Sequence, residues 1–214
     1  MRLALLILLT ACTPTDDSDV DTDTSADTDT SADTDTSADT DTEYNGPLRI
    51  FVSTSQPANL GGPASADARC QSDANNPDPT STWKAVIAGG GRTACGETDC
   101  ANNAAGQTDW VFYPDTDYVR LEGEPQLTTN SNGIVTEYPI DNQVSDEAGI
   151  NFWTGIDMEW TTSDLTCDGW TNDGLTRGDE PRGRVGWTET TGSGWIEGGS
   201  FVCSRTAPLL CVEQ

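Results

Sequence analysis

The chain has 214 residues, a formal net charge of −26 and no histidine. An excess of acid this large repels nucleic-acid phosphates and anionic lipid head groups, so neither is an expected partner. The lack of histidine excludes Ser–His and Cys–His nucleophile systems, and the sequence has no nucleophile-elbow or phosphate-binding glycine motif. We therefore expect a protein that is not an enzyme.

Residues 1–11 are typical of a signal peptide. Arg2 precedes an apolar run at residues 3–9, which is far shorter than the roughly 20 residues of a membrane-spanning helix. Thr10, Ala11 and Cys12 then resemble a bacterial lipobox, which implies that Cys12 is acylated and becomes the first residue after cleavage. The alternative is an ordinary secretory signal with a cysteine near its cleavage point. Two or more acyl chains give stable membrane anchoring, and Thr13 is typical of lipoproteins sorted to an outer membrane.

Residues 12–46 form an acidic segment with a short repeat. Residues 13–43 contain eleven Asp, one Glu and no basic residue, and residues 21–42 repeat the unit Asp-Thr-Asp-Thr-Ser-Ala. No large apolar residue follows Val20 in the repeat, so nothing offsets the entropy of ordering the chain. Calcium binding by the Asp-x-Asp pairs is the alternative, but the glycine and distant glutamate of EF-hand loops are missing. The segment is predicted to be a disordered tether.

Residues 47–214 are predicted to form one α+β domain, and all seven tryptophans lie there. Strands are expected at residues 48–53, 118–121, 150–156 and 201–212, and a short helix at residues 63–74 begins with Pro63. Residues 83–88 are apolar but of ambiguous type. Stretches rich in Asn, Asp, Gly and Thr separate these elements and are predicted loops.

Six cysteines remain beyond Cys12, an even number that predicts three disulfides in an oxidising compartment. A zinc site is disfavoured because the chain has neither a CxxC pair nor a histidine. Sequence alone leaves 15 connectivities open. Disulfides of about 2–4 kcal/mol each would make a loop-rich domain viable.

Several motifs of this domain occur in an order that resembles a known family. They are Asn59-Leu60-Gly61-Gly62, Ala66-Asp67-Ala68-Arg69-Cys70, Trp83-Lys84-Ala85, Tyr118-Val119-Arg120-Leu121-Glu122-Gly123, Phe152-Trp153-Thr154-Gly155, Cys167-Asp168-Gly169-Trp170-Thr171 and Leu210-Cys211-Val212-Glu213. The succession resembles the DUF1554 domain of bacterial lipoproteins, which is similar to the collagen XV/XVIII endostatin domain and to the C-type-lectin-like fold. The resemblance covers roughly residues 48–214.

The resemblance implies a disulfide pattern and a binding function. It implies the pairs Cys70–Cys211 and Cys167–Cys203, and Cys95 would then pair with Cys100. Lectins of this fold bind sugar through calcium held by a Trp-Asn-Asp strand, but this chain has Trp195-Ile196-Glu197 there, and Ile196 cannot ligate calcium. The zinc site of endostatin requires histidines, which the chain lacks.

Two further groups of residues are candidate binding sites. A calcium site is one interpretation of the oxygen-bearing side chains that crowd the loop after Trp160, and solvated loop carboxylates are the other; the residues are Asp164, Asp168, Asn172, Asp173, Asp179 and Glu180. No other cofactor is expected. Trp170, Trp187 and Trp195 are candidates for an exposed aromatic platform, with core packing as the alternative.

The sequence favours a membrane-anchored, extracytoplasmic lipoprotein that displays a lectin-like binding module for a glycan, peptide or matrix partner. A structural envelope lipoprotein without a specific ligand is the first alternative. The second is a hydrolase with a carboxylate pair, which would need two acids about 5–10 Å apart in a cleft.

Overall fold

The computed structural model describes residues 46–96, 100, 102–174 and 180–214. The signal segment, Cys12 and the acidic repeat lie outside the described residues. Within these ranges no helix is long and apolar enough to cross a membrane. The described chain is mixed α+β, mostly sheet with few helices, as expected for the domain.

The largest sheet has five strands in the order β3-β10-β1-β4-β5. They are β1 Leu48–Val52, β3 Trp83–Ala85, β4 Asp117–Val119, β5 Pro125–Thr128 and β10 Leu210–Glu213. The C-terminal strand β10 lies between β1 and β3 and is antiparallel to both, whereas β1 and β4 are parallel. The first and last strands of the domain are therefore hydrogen-bonded neighbours.

Alternation along the strands gives two hydrophobic cores, one on each face of this sheet. Ile50 of β1 and Val212 of β10 belong to the first core, and their neighbours Phe51 and Cys211 belong to the second. All four residues are at most 4% exposed. Both faces of the central strands are thus covered, which explains why the sequence of β10 is apolar at successive positions.

Helix α1, Pro63–Ser72, packs over the second core. Pro63 occupies the first turn, where its missing N–H costs nothing, and Ala66 and Cys70 are buried one turn apart. The helix ends two residues earlier than the sequence predicted. Asp73 is extended there, and its carboxylate accepts hydrogen bonds from the Thr54 N–H and hydroxyl.

A second sheet has three antiparallel strands in the order β6-β7-β8, namely β6 Asn151–Trp153, β7 Arg182–Trp187 and β8 Gly199–Val202. A two-stranded sheet pairs β2 Gln56–Pro57 with β9 Thr206–Ala207. The expected strand at 201–212 is therefore wrong as a single element: it contains the end of β8, then β9 and β10. A turn and Pro208, which cannot donate to a ladder, interrupt it.

Three disulfides join these parts of the domain: Cys70–Cys211, Cys95–Cys100 and Cys167–Cys203. Cys70–Cys211 and Cys167–Cys203 are the pairs that the family resemblance implies, and Cys95–Cys100 is the pair that was then expected. The first connects α1 to β10 and closes a loop of 141 residues. In the chain-entropy model, a loop of this length gives the largest stabilisation of the three.

A buried arginine connects the loop after β3 to helix α1 and to β3 itself. The side chain of Arg92 is inaccessible to solvent, and its five N–H groups make five hydrogen bonds. Asp67 of α1 accepts two of them, Asp109 accepts two, and the Ala85 carbonyl of β3 accepts one. Burial opposes the charge of Arg92, but these partners outweigh it and raise its pKa. The charge is therefore fully compensated in the core.

Candidate functional site

The expected aromatic platform does not form, because two of its three tryptophans are buried. Trp170 and Trp195 have no exposed surface. The indole Nε1 of Trp170 donates to the Ala88 carbonyl at 2.7 Å, and its ring packs against Trp153 with centroids 5.9 Å apart. Trp195 packs against Trp160 at 5.8 Å. Both tryptophans are core residues, and the prediction that they bind ligand is wrong.

Trp187 is the exposed member of the three, with 43% of its surface accessible. It is the last residue of β7, and its indole lies against Gly198 and Gly194. A Cβ at Gly198 would collide with the indole ring. The glycines of this turn therefore allow the ring to lie against the backbone.

The acidic residues considered for calcium do not converge in the part of the chain that the structure describes. No group of three or more acidic, cysteine or histidine side chains there could hold a metal ion. Asp164, Asp168 and Glu180 are exposed, while Asn172 and Asp173 are half-buried. Asp168 accepts from the Asn172 amide at 2.6 Å, and Glu180 accepts from the Ser204 hydroxyl at 2.9 Å. Asp179 lies outside the described residues.

A cleft of about 350 Å³ is lined in part by Ser193, Ile196 and Glu197, which belong to or adjoin the turn that supports Trp187. Cys100 and three segments form it: residues 135–138, Asp157 with the turn Met158–Trp160, and the turn Ser193–Trp195 with the residues that follow. Its walls are mainly apolar, and its polar side chains are carboxylates and hydroxyls in equal number. The lining residues are Cys100, Val135, Thr136, Tyr138, Asp157, Met158, Glu159, Trp160, Ser193, Ile196 and Glu197.

Trp160 anchors the base of the cleft. It is 4% exposed, its Nε1 donates to the Val135 carbonyl at 2.8 Å, and its ring makes tilted or edge contacts with Trp110, Phe112 and Trp195. Glu159 and Trp160 both have φ near 64°, the left-handed region that non-glycine residues seldom adopt. Strained backbone of this kind is concentrated at functional sites, and here it places Met158 and Glu159 at the mouth of the cleft.

The carboxylates of the cleft share one basic partner. Arg184 of β7 forms an ion pair with Asp157 through Nη2, and its Nη1 lies 3.9 Å from Oε1 of Glu197. Burial raises the pKa of Glu197; Arg184 partly opposes this rise and Asp157 adds to it. With Glu159, the cleft has three acids against one guanidinium. Its electrostatic potential is therefore expected to be negative.

Tyr138 and Met158 are the exposed apolar side chains at the rim, with 39% and 66% of their surfaces accessible. The Tyr138 ring is partly exposed, but its hydroxyl points inward and donates to the Val135 carbonyl at 3.2 Å. Burial of that hydroxyl raises the Tyr138 pKa, so the group stays neutral near pH 7. The rim can therefore contact both apolar and polar parts of a ligand.

Sequence reasoning did not single out this cleft. One local signal was present, because Asp157-Met158-Glu159-Trp160 places a tryptophan beside two carboxylates within four residues. Glu197 was considered only as part of the motif at which a lectin would bind calcium. Its position beside Asp157 depends on how β7 carries Arg184 between the two turns, and the pattern of residues gives no indication of that packing.

Comparison with known proteins identifies the family of the chain. No curated protein matches the chain. A family model described as "Protein of unknown function (DUF1554)" matches residues 53–189, which include the turn at Met158–Trp160 and Arg184. Because this match covers more than half of the sequence, the chain belongs to the DUF1554 family.

Proposed function

We propose that the protein is a lipoprotein of the cell envelope whose domain is a non-enzymatic binding module for an extracellular glycan, peptide or matrix partner. Cys12 would carry the lipid, the acidic repeat would act as the tether, and the outer membrane would be the site of display. The domain fold would be of the C-type-lectin-like and endostatin-like kind. The cleft lined by Tyr138, Met158 and Glu197 would be the binding site.

The observation that carries this proposal is the composition of the cleft. Binding sites are typically concave and largely apolar, with a few polar groups that fix the orientation of the ligand. Here Val135, Met158 and Ile196 supply apolar surface, and Glu159 and Glu197 supply hydrogen-bond acceptors. The volume of about 350 Å³ suits a monosaccharide or an amino-acid side chain.

The same cleft is poorly suited to a carboxylate-pair hydrolase. A retaining or inverting pair needs one acid that can donate a proton and one that stays ionised. Although the pKa of Glu197 is raised, Arg184 lies between Glu197 and Asp157 and contacts both. The Arg184 guanidinium acts to lower the pKa of Glu197, which opposes the protonated form that a general acid needs. We therefore favour binding over hydrolysis.

A cleft-filling variant tests the proposal. Ser193 is exposed and lines the cleft, so Ser193→Trp should obstruct it without disturbing the core. Ser55→Trp is the matched control, because Ser55 is exposed and does not line the cleft. Full-length protein in mild detergent would be applied to glycan and peptide arrays. The proposal expects binding by the wild type and the control, and at least tenfold weaker binding by Ser193→Trp.

The second candidate function is a structural envelope lipoprotein, and the burial of tryptophan favours it. Five of the seven tryptophans are buried and stabilise the core, so the domain does not present them as an exposed aromatic surface: Trp83, Trp153, Trp160, Trp170 and Trp195. This candidate expects no binding to either array. It also expects the same melting temperature with and without the array ligands.

The lipid anchor needs its own measurement. Cys12→Ser removes the sulfur to which a diacylglyceryl group would be attached. Expressed in a lipoprotein-processing bacterium, the wild type should partition into detergent and show the added mass of the acyl chains. The variant should lose both properties, and a wild-type protein without lipid mass would contradict this part of the proposal.

A further inference from the structure

We infer that the cleft binds a lysine or arginine side chain of an extracellular protein segment. This inference rests on the proposed binding function and specifies its ligand class. It depends on the juxtaposition, around one cavity, of exposed apolar surface and of carboxylates that outnumber their basic partner.

The negative net charge of the cleft favours a cationic ligand. Asp157, Glu159 and Glu197 line it, and Arg184 is the basic residue that contacts two of them, which leaves a formal charge of −2. Residues 44–214 carry 24 acids and nine bases, so the surrounding field has the same sign. A negative site within a negative domain attracts cations and repels anionic ligands such as sialylated or sulfated glycans.

The apolar walls of the cleft match the methylene chain of a lysine or arginine side chain. Lysine and arginine carry methylene groups that pack on apolar surface while their charged ends remain in polar surroundings. Met158 and Ile196 offer apolar surface, and Tyr138 offers an aromatic ring at the rim, where a cation gains from the ring quadrupole. Glu159 and Glu197 then accept hydrogen bonds from the ammonium or guanidinium group.

The rim of the cleft is held in place by buried groups. The Tyr138 hydroxyl donates to the Val135 carbonyl at 3.2 Å, and the buried indole N–H of Trp195 lies beside the same hydroxyl, which can accept from it. The aromatic ring that would contact the cation is therefore positioned by the core of the domain before a ligand binds.

The electrostatic state of Glu197 agrees with this ligand. Burial raises its pKa, which means that the ionised form is disfavoured in the free protein. A bound cation favours the ionised form. Binding should therefore release protons near the pKa of Glu197, and the affinity should fall as the pH falls through that pKa.

The experiment uses three blocked tripeptides, in which glycines flank a lysine, an acetyl-lysine or a methionine. Their binding to the full-length protein in mild detergent is measured by titration calorimetry. Glu159→Gln and Glu197→Gln test the cleft. Glu122→Gln is the control, because it removes the same charge from an exposed turn outside the cleft. Melting temperatures show that each variant is folded.

The lysine peptide should bind, and the acetyl-lysine and methionine peptides should bind at least tenfold more weakly. Glu159→Gln should weaken the lysine peptide about threefold, as expected for an exposed pair. Glu197→Gln should weaken it about tenfold, as expected for a hydrogen bond to a charged group. Glu122→Gln should match the wild type.

Three results would each overturn the inference. They are equal affinity for the lysine and acetyl-lysine peptides, unchanged affinity in both cleft variants, and no detectable binding of the lysine peptide. If a neutral glycan then binds the wild type and not Ser193→Trp, the cleft is still a binding site and only the ligand class is wrong. If neither class binds, the proposed function fails as well.

Discussion

Replacing Arg92 by methionine should be among the most destabilising single changes in the domain. Methionine occupies a similar volume but removes all five N–H donors at once. The carboxylates of Asp67 and Asp109 then lose two hydrogen bonds each, and the Ala85 carbonyl loses one. The change separates α1 from the loop that follows β3.

The expected loss in the free energy of unfolding depends on how exposed Asp67 and Asp109 are. Removing one partner of a buried ion pair generally costs about 3–5 kcal/mol, because the remaining charge is left uncompensated. The side chains of Asp67 and Asp109 are 19% and 49% exposed, so water can rehydrate them in part. We therefore expect a loss of about 3 kcal/mol in the free energy of unfolding, at the lower end of that range.

Urea unfolding with the disulfides intact, followed by tryptophan fluorescence, measures this loss. Arg92→Lys should be intermediate, because lysine keeps the charge but cannot make the bidentate contact with Asp67. The double variant Arg92→Met with Asp67→Asn should recover part of the loss, since one uncompensated charge is removed. A loss below about 1 kcal/mol for Arg92→Met would refute the reasoning.

Two further predictions concern β10 and β7. Burial opposes ionisation of Glu213, but hydrogen bonds from Arg49 outweigh it and hold the Glu213 pKa below its usual value. The Arg49–Glu213 interaction therefore stabilises the fold above the ordinary glutamate pKa, and this stabilisation is lost as the pH falls through the lowered pKa. Glu213→Gln should cost about 2 kcal/mol at pH 7 and should remove that part of the acid sensitivity. Thermal melts from pH 7 to pH 3 measure both effects. Gly186→Ala should cost about 3 kcal/mol, because its Cβ would collide with the Trp195 carbonyl. Gly192→Ala has space around its Cβ and should be nearly neutral; equal urea midpoints for these two variants would contradict the packing argument.

The sequence predicted those parts of the fold in which local pattern and burial agree. A strand-like apolar run and a proline at the helix start marked β1 and α1, and both are present. Strands β5 and β7 were missed. β5 begins with Pro125, and β7 contains two arginines and two glycines, so neither has the apolar alternation that marks a strand. The position of β5 is fixed by pairing with β4 across a short turn, and that of β7 by pairing with β6, which is distant in sequence.

The candidate site was harder to predict from the sequence than the fold was. Tryptophan is large enough to serve either as a core residue or as a binding surface, and composition does not distinguish Trp170 from Trp187. Only their packing does so: Trp170 donates to a buried carbonyl, while Trp187 lies against glycines at the surface. Likewise, Glu197 becomes a candidate ligand-binding residue only when Arg184 and the turn at Met158–Trp160 are brought beside it.

The indole N–H resonances of the tryptophans test most directly whether the cleft is the binding site. A ¹⁵N-labelled sample is titrated with any glycan or peptide that the arrays identify, after each resonance has been assigned by substitution. Ligand binding in the cleft should shift most strongly the resonance of Trp160, which lines the cleft, and should also shift that of Trp195, whose N–H lies beside the Tyr138 hydroxyl. The resonance of Trp83, which belongs to the other core, should not move. A ligand that shifts Trp187 and leaves Trp160 and Trp195 unchanged would contradict the assignment of the cleft as the site.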